Sequence, residues 1–221
     1  YDANYRNLTV AKHILNAIKT HISQTNGKRK ASAPALLPVS DKQNVLNQLD
    51  LTKSLSKSNY ETQLEKLQGK LNLITRHPKF KDHAVVVVFE GPDAAGKGGS
   101  IRRLTHAVDA RFYKVVQIAA PSDEEKSQPY LWRFWRHLPR KGHLTIYDRS
   151  WYGRVLVERV EGYCSEQDWM RAYAEINDFE EELIQHQTLV VKFWLQISPE
   201  EQLKRFESRQ KTAFKRFKIT E

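Results

Sequence analysis

The chain of 221 residues has one cysteine and one methionine, and its longest apolar run is only Ala84 to Phe89. A lone thiol, Cys164, excludes an internal disulfide framework and any multi-cysteine zinc site; it fits a reducing cytoplasm. Six apolar residues fall far short of the roughly 20 that a membrane-crossing helix needs, and no signal-peptide pattern opens the chain. The expectation is a soluble, cytoplasmic protein with no membrane partner. Acidic residues are also scarce, 26 Asp and Glu against 36 Lys and Arg, for a formal net charge of +10. That balance suits a polyanionic partner: nucleic acid, anionic lipid, nucleotide or an inorganic phosphate chain. What the chain does have is 40% hydrophobic residues, ample for a buried core.

The chain opens at Tyr1 and closes at Glu221 inside a basic run, so it is expected to be a piece of something longer. LTVAKHILNAIKTHI suits a short amphipathic helix ending near Ile22, and SQTNGKRKASAPALLPVSD reads as a linker. Ser58-Asn59-Tyr60-Glu61 has the form of a capping box, and Tyr60, Leu64, Leu67, Leu71 and Ile74 predict one apolar helix face. Beyond His77-Pro78 the rhythm changes to strands alternating with helices: Ala84–Glu90, Tyr113–Ala119, Leu144–Asp148 and Leu189–Ile197 read as strands. Ser122, Ser165 and Ser198 each stand where a helix should open. The predicted fold is therefore α/β, a three-layer sandwich around a mostly parallel sheet.

Ligands in such a sheet gather at the carboxyl ends of the strands, and two motifs fall there: GPDAAGKGG after the first strand and DRSWYGR after the third. In the first, Gly91, Gly96, Gly98 and Gly99 let phosphate approach the backbone. The amides of Ala94 and Ala95 and the helix beginning near Lys97 face it, and Lys97 supplies positive charge. Gly98 stands where a phosphate loop usually carries a Ser or Thr that holds Mg²⁺. Asp93 is the candidate replacement. A carboxylate in a phosphate loop repels the ligand unless a divalent cation reverses the sign, so Asp93 and Asp148 are read as the metal pair for Mg²⁺, with Mn²⁺ as the alternative. Arg149, next to Asp148, is placed to bridge donor and acceptor phosphoryl groups. Arg102, Arg133, Arg154, Arg205 and Arg209 are further candidates for phosphate binding, Arg205 and Arg209 sharing a helix face.

FEGPDAAGKGGSIRR, QPYLWRFWRHLPRKGH, DRSWYGRVLVERVEG and EEQLKRFESRQKTAFKRFKIT together resemble polyphosphate kinase family 2, over about Asn59 to Glu221. The leading helices and SIRRLTHAVDARFY look most like class II of that family, whose members carry two fused kinase-like modules. The resemblance implies a P-loop kinase fold near thymidylate kinase, with an N-terminal helical extension. It also implies Mg²⁺ dependence and transfer of the terminal phosphoryl group of inorganic polyphosphate to AMP, giving ADP. Asp93, Lys97, Asp148 and Arg149 become the expected catalytic group and Arg209 the lid arginine. Residues 1–22 become the tail of a preceding module, 23–57 a linker and lead-in, and 58–221 the kinase domain, whose lid continues past Glu221. A homo-oligomer is expected, with nucleic acid not the main ligand. Two other readings stay open from the residues alone: an ATP-dependent nucleoside monophosphate kinase, and a non-catalytic module that binds nucleic acid or another polyanion.

Overall fold

The computed structural model describes residues 45–211 together with Leu15, Asn16 and Lys19. The chain divides into two compact units, Tyr1–Leu36 and Leu37–Glu221. In the first, Leu15, Asn16 and Lys19 are helical. The expected helix and linker of residues 1–44 otherwise lie outside the described residues, as do residues 212–221.

In the second unit a helix, α1 (Lys57–Arg76), leads into strand β1 (Ala84–Glu90) and helix α2 (Lys97–Thr105). Strand β2 (Tyr113–Gln117), short helices α3 (Asp123–Lys126) and α4 (Trp132–Trp135), and strand β3 (Leu144–Asp148) follow. The short α5 (Val157–Val160), the long α6 (Glu166–Gln185), β4 (Thr188–Trp194) and α7 (Pro199–Gln210) complete the order. All pairings are parallel and the strand order is β2-β3-β1-β4.

β1 reads AVVVVFE because it lies between β3 and β4 and is covered on both faces, which removes the polar alternation of a half-exposed strand. Its odd and even residues feed two cores. Val86 and Val88 pack with Phe134, Tyr147, Trp151 and Phe179, whereas Val85, Val87 and Phe89 pack with Ile101, Val108 and Ile146. Each fully buried valine contributes roughly 1.5–3 kcal/mol relative to exposure. The three-layer α/β sandwich follows from this division, with helices on both faces of the sheet.

Several local expectations shift. The cap of α1 is Ser56, whose side chain accepts from the Asn59 amide, not Ser58. The face that α1 turns inward is also rotated: Leu67 and Ile74 are exposed and Thr75 is buried. The reason is polar. Gln68 donates to the Arg103 carbonyl (2.8 Å) and Asn72 to the Ala107 carbonyl (3.0 Å), satisfying acceptors at and beyond the C-terminal end of α2. β2 stops at Gln117 instead of Ala119, because the Ala119 carbonyl accepts from Arg133 at 2.8 Å. β4 is Thr188–Trp194 rather than 189–197. On α6, Ala172 is buried and Tyr173 is partly exposed. Ser122 and Ser165 make complete capping boxes. Ser198 caps α7, but Glu201 turns away to pair with Arg205.

Candidate active site

The strand order places β1 beside β3, so the loop after β1 and the turn after β3 meet at the same end of the sheet. Gly91 opens the loop at φ 135°, and a Cβ there would stand 2.3 Å from the Leu195 carbonyl oxygen. Only glycine fits. Ala94 takes φ 66°, and Gly96 takes φ 109° as the cap of α2. Gly96 brings no side chain to that cap, so the first amides of α2 lack a side-chain acceptor, the arrangement that suits an anion.

The Lys97 Nζ is folded back over the loop. It donates to the Gly91 carbonyl (2.7 Å) and the Pro92 carbonyl (3.2 Å), lies 3.9 Å from Asp93 Oδ1, and is 11% exposed. Burial lowers its pKa from the ordinary lysine value, against the pull of Asp93, Asp148 and Glu90. Those three carboxylates and Arg149 therefore all act on one ammonium.

Arg149 sits at φ 65°, its amide bound to the Phe89 carbonyl at 3.0 Å. Its Nη2 donates to Asp93 Oδ1 at 2.9 Å, with both side chains about half exposed. The buried Ser150 donates to Glu90 Oε1 at 2.7 Å and accepts from the Tyr152 amide. Burial raises the Glu90 pKa above the ordinary carboxylate value; the Ser150 hydrogen bond works against that shift. From the far end of the chain, Gln202 donates to the Asp93 carbonyl and Arg205 Nη1 to the Ala94 carbonyl, each at 2.8 Å. The loop is thus held by β1, by the turn after β3 and by α7.

A cleft of about 1010 Å³ opens beside these groups, lined by Gly91, Asp93, Arg149, Ala119, Tyr130 and Arg133 among others. Arg133 is 5% exposed, 3.3 Å from Glu125 Oε2, and its Nε has no partner among the described residues. Arg154 pairs with Glu158 at 3.0 Å and stacks over the Tyr130 ring at 4.0 Å.

Of the residues singled out from sequence, Gly91, Asp93, Ala94, Ala95, Gly96 and Lys97 form the loop. Asp148, Arg149 and Arg205 meet or adjoin it, and Arg133 and Arg154 line the cleft. Gly98, Gly99 and Arg102 lie on α2; the Gly99 carbonyl accepts from Arg103, and Arg102 is exposed. Arg209 stacks over Phe206 in the last turn of α7 and does not line the cleft. Sequence reasoning passed over Glu90, Ser150, Glu125, Tyr130 and Gln202. Glu90 carried one signal, an acid closing an otherwise apolar strand. The others act through contacts distant in sequence.

No group of three or more His, Cys, Asp or Glu among the described residues is placed to hold a metal by itself. Asp93 and Asp148 do offer hard oxygen donors at neighbouring strand ends. Such a pair fits Mg²⁺, which commonly takes one or two carboxylates and leaves its other positions to phosphate and water.

A family model described as polyphosphate kinase 2 matches residues 54–221. The chain belongs to the polyphosphate kinase 2 family. Among curated relatives of this family, the polyphosphate:AMP phosphotransferase of Pseudomonas aeruginosa is 51% identical over all of this chain and 45% of its own length. The protein of the same name from Acinetobacter johnsonii is 44% identical, over all of this chain and 44% of its own length. The GDP-polyphosphate phosphotransferase of Mycobacterium tuberculosis is 35% identical over 76% of this chain and 57% of its own. The chain thus spans less than half the length of the relatives it matches throughout. A crystal structure of a polyphosphate kinase 2 from Pseudomonas aeruginosa superposes with a TM-score of 0.78 at 57% identity, over 80% of this chain and 38% of that one. One from Arthrobacter aurescens gives 0.74 at 30% identity, over 81% and 66%. The P-loop kinase fold is common to all three. No helix among the described residues is long and apolar enough to cross a membrane.

Proposed function

We propose that this chain transfers the terminal phosphoryl group of inorganic polyphosphate to AMP, giving ADP. The observation that carries the reading is the loop itself: a phosphate loop whose Asp93 carboxylate is gripped by Arg149 at 2.9 Å, beside a cleft large enough for a nucleotide. An acid held at that point of a phosphate loop fits two phosphorylated substrates with a cation between them.

In the reaction an oxygen of the AMP phosphate forms a bond to the terminal phosphorus of the chain. The bridging P–O bond breaks, and its electron pair leaves with polyphosphate shortened by one unit. The acceptor oxygen is already charged, so positioning and neutralisation matter more than proton removal. Lys97 and the loop amides grip the donor end, and Arg149 steadies charge between donor and acceptor. Arg133 and Arg154 bring cationic faces to the acceptor cleft. Arg102, Arg205 and Arg209 add positive charge along α2 and α7 for the donor. Asp93 and Asp148 would hold Mg²⁺, which neutralises the crowded phosphate oxygens when bound. In this reading residues 58–221 are one kinase module, 1–22 the tail of another and 23–57 the joint.

The test is a matrix of donors and acceptors on the purified chain with Mg²⁺. Polyphosphate with AMP should give ADP far faster than ATP with AMP. Preference for ATP would instead make the chain a nucleoside monophosphate kinase.

A further inference from the structure

At the opposite pole of the sheet from the phosphate loop, three strand entrances lie side by side. The parallel register sets Val85 against Leu144 and Ala84 against Thr188, so the segments that feed β1, β3 and β4 arrive together. Those segments are HPKFKDH (77–83), RKGH (140–143) and HQ (186–187). They are fastened to one another: the Gly142 amide donates to the His83 carbonyl at 2.7 Å, and Lys141 Nζ lies 3.5 Å from Gln187 Oε1. A Cβ on Gly142 would lie 3.5 Å from the Lys81 Cα, so the first two segments are in close contact.

Packing their backbones together crowds their charges outward. Lys79, Lys81, Arg140 and Lys141 are all exposed, and Asp82 is the single carboxylate of the three segments. None of the four takes part in an ion pair among the described residues. Arg140 spends its hydrogen bonds on the His143 ring. Four like charges gathered with Asp82 as the one carboxylate of their segments repel one another and create a local positive potential. Some basic side chains elsewhere are matched with acids, as Arg111 is with Asp109 and Arg171 with Asp168 and Glu175. What sets these four apart is that adjoining segments bring them together at one end of the sheet.

We propose that this cluster is a second binding site for inorganic polyphosphate, a tether that holds the body of a long chain while its end is used at the phosphate loop. The proposal rests on the donor being polyphosphate. β1 separates the two poles by roughly 20 Å, at about 3.3 Å per residue, so a short donor cannot occupy both and a long one can. Lys79 and Lys81 on the 3-10 helix Pro78–Asp82 and Lys141 on the turn before β3 suit this ligand, since a linear polyanion presents repeating charge rather than one defined geometry. The site needs no base-stacking aromatic and reads no sequence.

The test replaces the four cations together (K79S, K81S, R140S, K141S) in the full chain and compares donors. For long-chain polyphosphate KM should rise several-fold with kcat unchanged. For tripolyphosphate both constants should stay at the parent values. The slope of log KM for long donors against log salt should become shallower by about 3, at about 0.7 per lost cation contact. The charge-conserving variant (K79R, K81R, R140K, K141R) should behave as the parent. If the fourfold variant does not fold, the pair K79S, K81S should give about half the change in slope. Equal effects on long and short donors, or none on either, would overturn the tether. So would loss of oligonucleotide binding with polyphosphate affinity intact. Direct titration with labelled polyphosphate separates the two readings: if the parent makes no ADP from polyphosphate and AMP, the proposed reaction fails, while a drop in long-chain affinity in the variant still supports the tether.

Discussion

Arg149 Nη2 and Asp93 Oδ1 lie 2.9 Å apart and join the turn after β3 to the loop after β1. Both side chains are about half exposed, so solvent screening limits what the pair adds to stability, roughly 0–1 kcal/mol. Its value lies in orientation. Arg149→Ala should lower turnover on the order of 10³-fold, as expected for loss of a phosphoryl-clamping cation, with a nearly unchanged melting temperature. Asp93→Asn should act in the same direction. Steady-state rates and thermal unfolding measured on the same preparations check this, and turnover within a few-fold of the parent would remove both residues from the site.

Gly91→Ala should damage the fold itself. The added Cβ meets the Leu195 carbonyl at 2.3 Å, and the backbone stands at φ 135°. A strained residue of this kind costs roughly 1–3 kcal/mol. Urea unfolding should show a lower midpoint with the same slope. Gly98→Ala, on α2 where a Cβ meets nothing within 4 Å, is the control and should be no less stable than the parent.

Glu90 predicts a pH dependence. Burial raises its pKa above the ordinary 4.5, so the folded state favours the protonated acid. The stability this group provides is complete below the ordinary value and is lost as pH climbs through the raised one. Glu90→Gln cannot ionise and still accepts from Ser150. Variant and parent should therefore melt alike in acid, and the variant should gain on the parent as pH rises toward neutrality. A gap that is constant with pH would show that Glu90 does not titrate in the folded chain.

Arg205 positions the loop without lining the cleft, through its 2.8 Å hydrogen bond to the Ala94 carbonyl. Its loss removes about 1 kcal/mol of order from the loop. Arg205→Ala should raise the donor KM about fivefold while kcat falls less. Arg205→Lys, which can still reach a carbonyl, should recover part of that loss. A pure fall in kcat would instead place Arg205 against the reacting phosphoryl group.

Much of this was legible because it is local. Four consecutive valines announce a strand covered on both faces, and the limits of β1 and β3 agree with those read from sequence, Ala84–Glu90 and Leu144–Asp148. Ser122 caps its helix as its spacing to Glu125 predicts, and Ser165 opens α6 as expected. Glycine spacing marked the phosphate loop. Where reading failed, the deciding contact was remote. Leu67 and Ile74 look like a core stripe, but α1 is turned by Gln68 and Asn72 reaching carbonyls 35 residues away. Arg133 looks like a free cation, and no local pattern reveals that Glu125 and the Ala119 carbonyl enclose it. The backward fold of Lys97 onto its own loop carbonyls is equally invisible in a motif.

The clamp that Gln202 and Arg205 place on the loop, across separations of 109 and 111 residues, sets an order of events during synthesis. β1 and the glycine loop leave the ribosome before their partners in β3, β4 and α7. Contacts of such long range carry the entropy of closing large loops and form slowly. A nascent chain that ends before α7 can display every residue of the glycine motif and still lack a rigid phosphate cradle. The fixed geometry of the loop thereby waits on a helix that follows the last strand of the sheet.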